Sequence, residues 1–346
     1  GLTSYVWGGQ TLNGALVGDN LGGVGNNTLT GQLTLNAMSN ISTSWSDKSV
    51  SLAGKITGIG GLQQDVYRAG NNASLVYVTG TAVANDYTGN TIVNAGILSL
   101  GTGAANPTSH VSALGTGLVT VNTGAQTRFW IRTDGTVNTI ANNFALNGGT
   151  LHDEDGVHTL TGTVTLTGNN TLSAKWANKT LTVAGQVTGG GTLTVNLANG
   201  VGDGGSRVVL SNLTNNYSGG TEHLAGILSV PSVLALGTNY LAVKNGATFE
   251  YTNAGSETTT KILWLDAGAS NFNITNAAGA LTWNPSGGNR NQAFTKQGPG
   301  KLTMGGAFSG GASITASGGI LELTAASTNS GTTVVTAGTL LATNTT

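Results

Sequence analysis

The sequence of 346 residues has no cysteine, only four prolines and little charge of either sign. Without cysteine there is no disulfide framework, no thiolate metal site and no cysteine nucleophile. Lys, Arg, Asp and Glu together make 8% of the chain, with a net charge of -1, where an ordinary soluble domain carries about a quarter. So few Lys and Arg leave no electrostatic footprint for nucleic acid or for an anionic membrane. Disorder is disfavoured too, because disordered segments combine low hydrophobicity with charge or proline. No apolar run reaches the roughly 18 residues that span a bilayer as a helix. Residues Gly1 to Trp7 show neither the basic nor the apolar part of a signal peptide, which reads as an end exposed by processing or trimming.

In place of charge the chain holds 56 glycines and many Thr, Asn and Ser. Sustained helical spacing of apolar residues is missing, and short runs of period-2 alternation replace it. Leu160 to Leu166, Thr180 to Val183 and Thr192 to Leu197 alternate apolar or small with polar residues, the pattern of half-buried strands. Asn169-Asn170, Gly189-Gly190-Gly191 and Asn245-Gly246 punctuate them, with residue types that tolerate tight turns.

A long repeat organises these strands. Setting Trp45 on Trp176, an offset of 131, brings Lys48 onto Lys179, Val50 onto Leu181, Gly54 onto Gly185 and Leu62 onto Leu193. Asp86-Tyr87-Thr88-Gly89-Asn90-Thr91 matches Asn216-Tyr217-Ser218-Gly219-Gly220-Thr221, and both continue into Ala-Gly-Ile-Leu-Ser at Ala95 to Ser99 and Ala225 to Ser229. Ala113 to Thr116 recurs as Ala235 to Thr238. A partial third copy covers Gly298 to Met304 and Asn329 to Leu341. Tandem repetition with Gly/Asn corners predicts an all-β fold, a right-handed parallel β-helix (β-solenoid) built from two long repeats and a partial third. At roughly 20 residues per rung, about 15 rungs are expected, with Val, Ile, Leu and Ala inside and some Asn stacked in ladders at the corners. Residues 1–24 depart from the repeat and read as a cap or subunit-contact segment. Residues 25–346 read as one solenoid with units of approximately 25–155, 156–285 and 286–346.

Phe294-Thr295-Lys296-Gln297-Gly298-Pro299-Gly300-Lys301-Leu302-Thr303-Met304, a spacer, then Asn329-Ser330-Gly331-Thr332-Thr333-Val334-Val335-Thr336-Ala337-Gly338-Thr339-Leu340 resembles the passenger-associated repeat of bacterial autotransporters. Asn216–Ser229 and Asp86–Ser99 are weaker copies. The resemblance implies an exported parallel β-helix on or beyond the cell surface. Two departures stand out: the spacer in the third copy is longer than usual, and no C-terminal translocator barrel is expected within these residues. The chain then reads as a passenger fragment of an autotransporter adhesin, or as a protein exported by another route.

Residues for chemistry are few. His152-Asp153-Glu154-Asp155-Gly156-Val157-His158 is the densest polar run, with oxygen ligands for Ca²⁺ or imidazoles for a transition metal. Neighbours on a strand point to opposite faces, so a solvated corner loop is favoured and metal binding stays open. Glu222-His223 replaces Ile92-Val93 of the first copy and reads as a surface substitution. The remaining acids are scattered, with no paired-carboxylate pattern, no Gly-x-Ser-x-Gly elbow and no phosphate loop. Trp45 and Trp176 are repeat-equivalent, which favours packing over sugar stacking. Gln126 to Arg132 is the most basic-aromatic stretch. Thr161, Thr163, Thr165 and Thr167 would form a flat array, as in ice-binding solenoids, if neighbouring rungs extended it.

No cofactor and no catalysis are expected. The terminal rungs of a solenoid expose unpaired backbone, and Leu2, Tyr5, Val6 and Trp7 at one end and Leu340 and Leu341 at the other are the candidate subunit contacts. The expected function is a secreted or cell-surface structural rod that assembles head to tail into filaments or serves as an adhesive stalk. Its partners would be other copies of itself and surface glycans, without nucleic acid or membrane insertion. A glycan-binding or polysaccharide-degrading β-helix is the alternative.

Overall fold

The computed structural model describes residues 4–7, 10–12, 14–18, 26–43, 48–65, 74–79, 84–102, 113–131, 137–176, 179–195, 205–265 and 267–343. Every named strand pairing is parallel, and the one helical element described is a single 3-10 turn, Val233–Leu236. The strands stack as a β-solenoid of about 12 turns. That is fewer than the 15 expected, because most coils run longer than 20 residues. Leu52 pairs with Val78, 26 positions on, and Leu100 with Phe129, 29 positions on. The chain divides into two compact units, residues 1–185 and 186–346.

In the first unit each coil contributes a strand to two long parallel sheets. One contains Ser49–Leu52, Leu75–Val78, Ile97–Leu100, Gln126–Phe129 and Thr150–Asp153 in register. The other contains Leu62–Gln64, Thr91–Val93, Val119–Asn122, Phe144–Asn147 and Val164–Thr167. Alternation aims every second residue inward, so identical register stacks like on like. Leu29, Leu52, Val78, Leu100 and Phe129 form one interior column, all at most 1% exposed. The outward column Ile92, Thr120, Ala145, Thr165 mixes residue types, so no continuous threonine array runs over these four coils. At the corners Asn147 donates to Asn122 (3.0 Å), Asn122 to Asn94 (2.7 Å) and Asn94 to Asp65 (3.2 Å). This is the expected amide ladder, and each of its rungs satisfies a polar group without introducing like charges in register.

The second unit fills its interior with rings. Phe249, Phe272, Phe294 and Phe308 stack at centroid distances of 5.1, 5.3 and 5.2 Å, and Trp283 meets Phe249 and Phe272 edge-on. Such offset and edge geometries suit aromatic quadrupoles. Trp283 Nε1 donates to the Lys261 carbonyl at 2.7 Å.

Candidate functional site

The acid–histidine run is not a solvated corner. His152, Asp153, Glu154 and His158 are at most 8% exposed. Thr150–Asp153 and Val157–Leu160 are both strands, and a short bend at 154–156 joins them. Asp153 follows Phe129 and precedes Ala174 in the interior column, so its carboxylate lies inside the coil, 3.0 Å from His158 Nδ1. Burial holds that carboxyl above the usual range, although His158 pulls the other way. His152 faces outward, with Nδ1 2.7 Å from Ser173 Oγ and Nε2 3.1 Å from Glu154 Oε2. Glu154 also pairs with Lys175, and Asp155 with Lys179 at 2.8 Å. Burial alone would raise the Glu154 carboxyl, yet the hydrogen bonds from His152 and Lys175 prevail and hold it near 2. Strand alternation splits the run into an interior Asp–His pair and an exterior ion-pair chain. Among the described residues no three His, Asp or Glu side chains gather as a metal site.

Two other expectations change. His223 is not a surface residue: it is fully buried, and burial lowers its imidazole to about 4 against the backbone of Ala225 and Gly226. Trp176 is not a packing residue: it is 45% exposed, with the Lys175 ammonium 5.1 Å from its ring. Its counterpart Trp45 lies outside the described residues. In the basic-aromatic stretch, Phe129 packs inside while Arg128 lies outside, 4.6 Å from the Trp130 ring.

The residues that build the repeat are the best-defined polar structure. Asn85 Oδ1 accepts from Ile56 N–H at 2.7 Å, and its Nδ2 donates to Ala113 at 2.9 Å. Asn215 does the same to Val187 (2.7 Å) and Ala235 (2.8 Å). Tyr87 and Thr91 share a hydroxyl hydrogen bond of 2.6 Å, and so do Tyr217 and Thr221. Each Asn thus ties three successive coils together. Downstream, Gly96, Gly226, Gly319 and Gly338 all have positive φ; the first two precede strands Ile97–Leu100 and Ile227–Val230, and the last two lie within strands Ile314–Leu323 and Thr333–Ala342. At Gly96 a Cβ would lie 2.3 Å from the Ser74 carbonyl, so backbone packing as well as φ demands glycine there.

The family model for the passenger-associated-transport-repeat matches residues 79–100, 203–230, 294–321 and 316–342. These four stretches are similar to passenger-associated transport repeats. Searches of the curated proteins and of the solved structures yield no match. The matches correct the spacing inferred at the third passenger repeat. That copy closes at Gly319-Ile320-Leu321 rather than at Gly338, and a fourth, overlapping copy follows. One strand, Ile314–Leu323, holds both the end of one copy and the start of the next, which is why a single long-spaced copy was inferred from sequence. In the third passenger repeat Lys296 is fully buried, and Nζ donates to the carbonyls of Gly298 (2.7 Å), Gly300 and Gly318 (3.0 Å). The lysine satisfies the turn's inward carbonyls, and burial lowers its ammonium to about 8.

Of the candidate subunit contacts, Leu2 lies outside the described residues. Tyr5, Val6 and Trp7 belong to strand Ser4–Trp7, which pairs with Asn26–Leu29 of the same chain. At the other end Leu340 is half-buried and Leu341 is 38% exposed, in strand Thr333–Ala342. Sequence reasoning missed Tyr240 and Trp264. The signal was present in part, since Glu222, Tyr240 and Lys244 stand where the first copy has Ile92, Leu118 and Asn122.

Proposed function

We propose that this chain is a passenger-type structural solenoid, exported to the cell surface or beyond, non-catalytic, and assembling end to end. One observation carries the reading: all four matched passenger repeats coincide with coil closures of a parallel solenoid. The acidic side chains support it. Glu154, Asp155, Glu222, Glu250 and Glu322 each pair with a Lys or Arg rather than with a second carboxylate. Protease treatment of intact cells tests export: the chain is expected to be degraded while cytoplasmic proteins survive, and full protection rejects surface exposure.

The assembly half of the reading rests on Thr333–Ala342. This strand pairs on one side with Ile314–Leu323, and it exposes Val334, Val335 and Leu341 by 41, 50 and 38%. In the assembly we propose, the rung that covers this strand is supplied by a second copy through its N-terminal segment. Electron microscopy should show end-to-end oligomers that Val335→Lys disperses. Monomers at high protein concentration reject assembly without touching the export reading.

A further inference from the structure

The outward face of one rung pair in the second unit is built unlike its counterpart. Glu222, Ala242 and Trp264 stand in register on three successive coils. Ala242 is the small member, so a notch opens above it between Glu222 and Trp264, whose strands lie about 10 Å apart at the usual spacing. Tyr240 and Lys244, on either side of strand Leu241–Val243, close its ends. The cavity holds about 340 Å³, the low end of small-molecule sites at roughly 300–1,000 Å³. In the first unit the same places are taken by Ile92, Thr120, Ala145, Leu118 and Asn122, which offer neither an exposed ring nor a charge.

The polar wall is preorganised. Tyr240 donates to Glu222 Oε1 at 2.8 Å, and Lys244 Nζ lies 2.7 Å from Oε2. Burial, reinforced by the Glu222 charge, raises the Tyr240 phenol to about 12, so it remains a donor. The Tyr240 ring lies against Gly220 (φ 89°), where a Cβ would come within 2.3 Å of it; the first copy has Asn90 at this place. A carboxylate with lone pairs left over stands beside an ammonium with N–H groups left over. Together they present an acceptor and a donor at the spacing of two neighbouring hydroxyls, and their charges cancel. Opposite them the Trp264 indole, 37% exposed, offers a flat apolar surface.

We propose that this notch binds a neutral hexopyranose unit of a glycan. The ring's C–H face stacks on Trp264, one hydroxyl donates to Glu222 and its neighbour accepts from Lys244. A charged sugar is disfavoured, since the Glu222–Lys244 pair has no net charge to offer it. This site is independent of export and assembly, and purified protein suffices to test it.

Protein with ¹⁵N-labelled tryptophan is titrated with maltohexaose, cellohexaose, mannohexaose and a β-galactan hexasaccharide. One of the six indole signals is expected to shift saturably with at least one of them. Trp264→Ala and Ala242→Leu, which fills the notch, should each weaken binding about tenfold or more, and Glu222→Gln about fivefold. Thr120→Leu, the same change in the first unit, should leave the affinity unchanged. Unaltered circular dichroism and unaltered signals from the other tryptophans confirm that the variants are folded. No saturable shift with any of the four sugars overturns the proposal, and so does undiminished binding by folded Ala242→Leu protein.

Discussion

Two stretches of coil, around Tyr87 in the first unit and Tyr217 in the second, share their interior hydrogen bonds and differ outside. Inside, Asn85 and Asn215 make the same pair of backbone hydrogen bonds, and Tyr87–Thr91 and Tyr217–Thr221 the same hydroxyl contact. Outside, Ile92, Leu118 and Asn122 become Glu222, Tyr240 and Lys244. The interior chemistry is what closes a coil, since a buried backbone N–H or carbonyl left unpaired costs about 1–3 kcal/mol. The exterior only has to be soluble, so it is free to carry a site. One interior place also differs: Val93 of the first copy is His223 in the second, both buried.

The largest effect should come from the shared interior. Tyr87→Ala and Tyr217→Ala each remove a fully buried ring, at a cost of about 3–5 kcal/mol. Hydrogen exchange should show the loss concentrated in the flanking coils, as nearest-neighbour coupling in a solenoid requires. If one of the two substitutions is silent, the two coils are not equivalent.

The His223 difference should appear as a pH dependence confined to the second unit. Its folded pKa of about 4 lies below the unfolded value of 6.5, so between these values the unfolded chain binds a proton that the folded chain refuses. The stabilisation is complete above pH 6.5 and is lost as pH falls towards 4, about 3 kcal/mol in all. Hydrogen exchange across this range should show the coils beside His223 weakening, and His223→Val should flatten that part of the profile. An unchanged profile would mean that His223 protonates equally in both states.

Thr91→Val and Thr221→Val keep shape but leave each tyrosine hydroxyl without its 2.6 Å partner. Equal losses of about 1–2 kcal/mol are expected by urea denaturation. Unequal losses would show that the exterior of the second copy reaches its interior.

Much of this was legible in the sequence. The alternation, the glycine corners and the matched stretches around Tyr87, Tyr217 and Gly298 each report local backbone demands that hold wherever the coil lies. About 15 rungs is too many because loops lengthen the coils unequally, from 19 positions between Leu323 and Ala342 to 29 between Leu100 and Phe129. Of the notch, the sequence singles out only Glu222, as a surface substitution; Trp264 comes two coils later and no sequence spacing announces it.

Sequence alone therefore determined that the chain coils, where it turns and which residues recur. Tertiary structure decided which side of each strand a charge falls on and what it meets there. Asp153 and Lys296 occupy interior columns otherwise filled by residues such as Leu100 and Phe129 or Phe249 and Phe272. Lys296 is tolerated because its partners, the carbonyls of Gly298, Gly300 and Gly318, exist only in the folded coil, and Asp153 meets His158 at 3.0 Å only there. A buried charge needs its partners at fixed distance, and only the register between coils sets that distance.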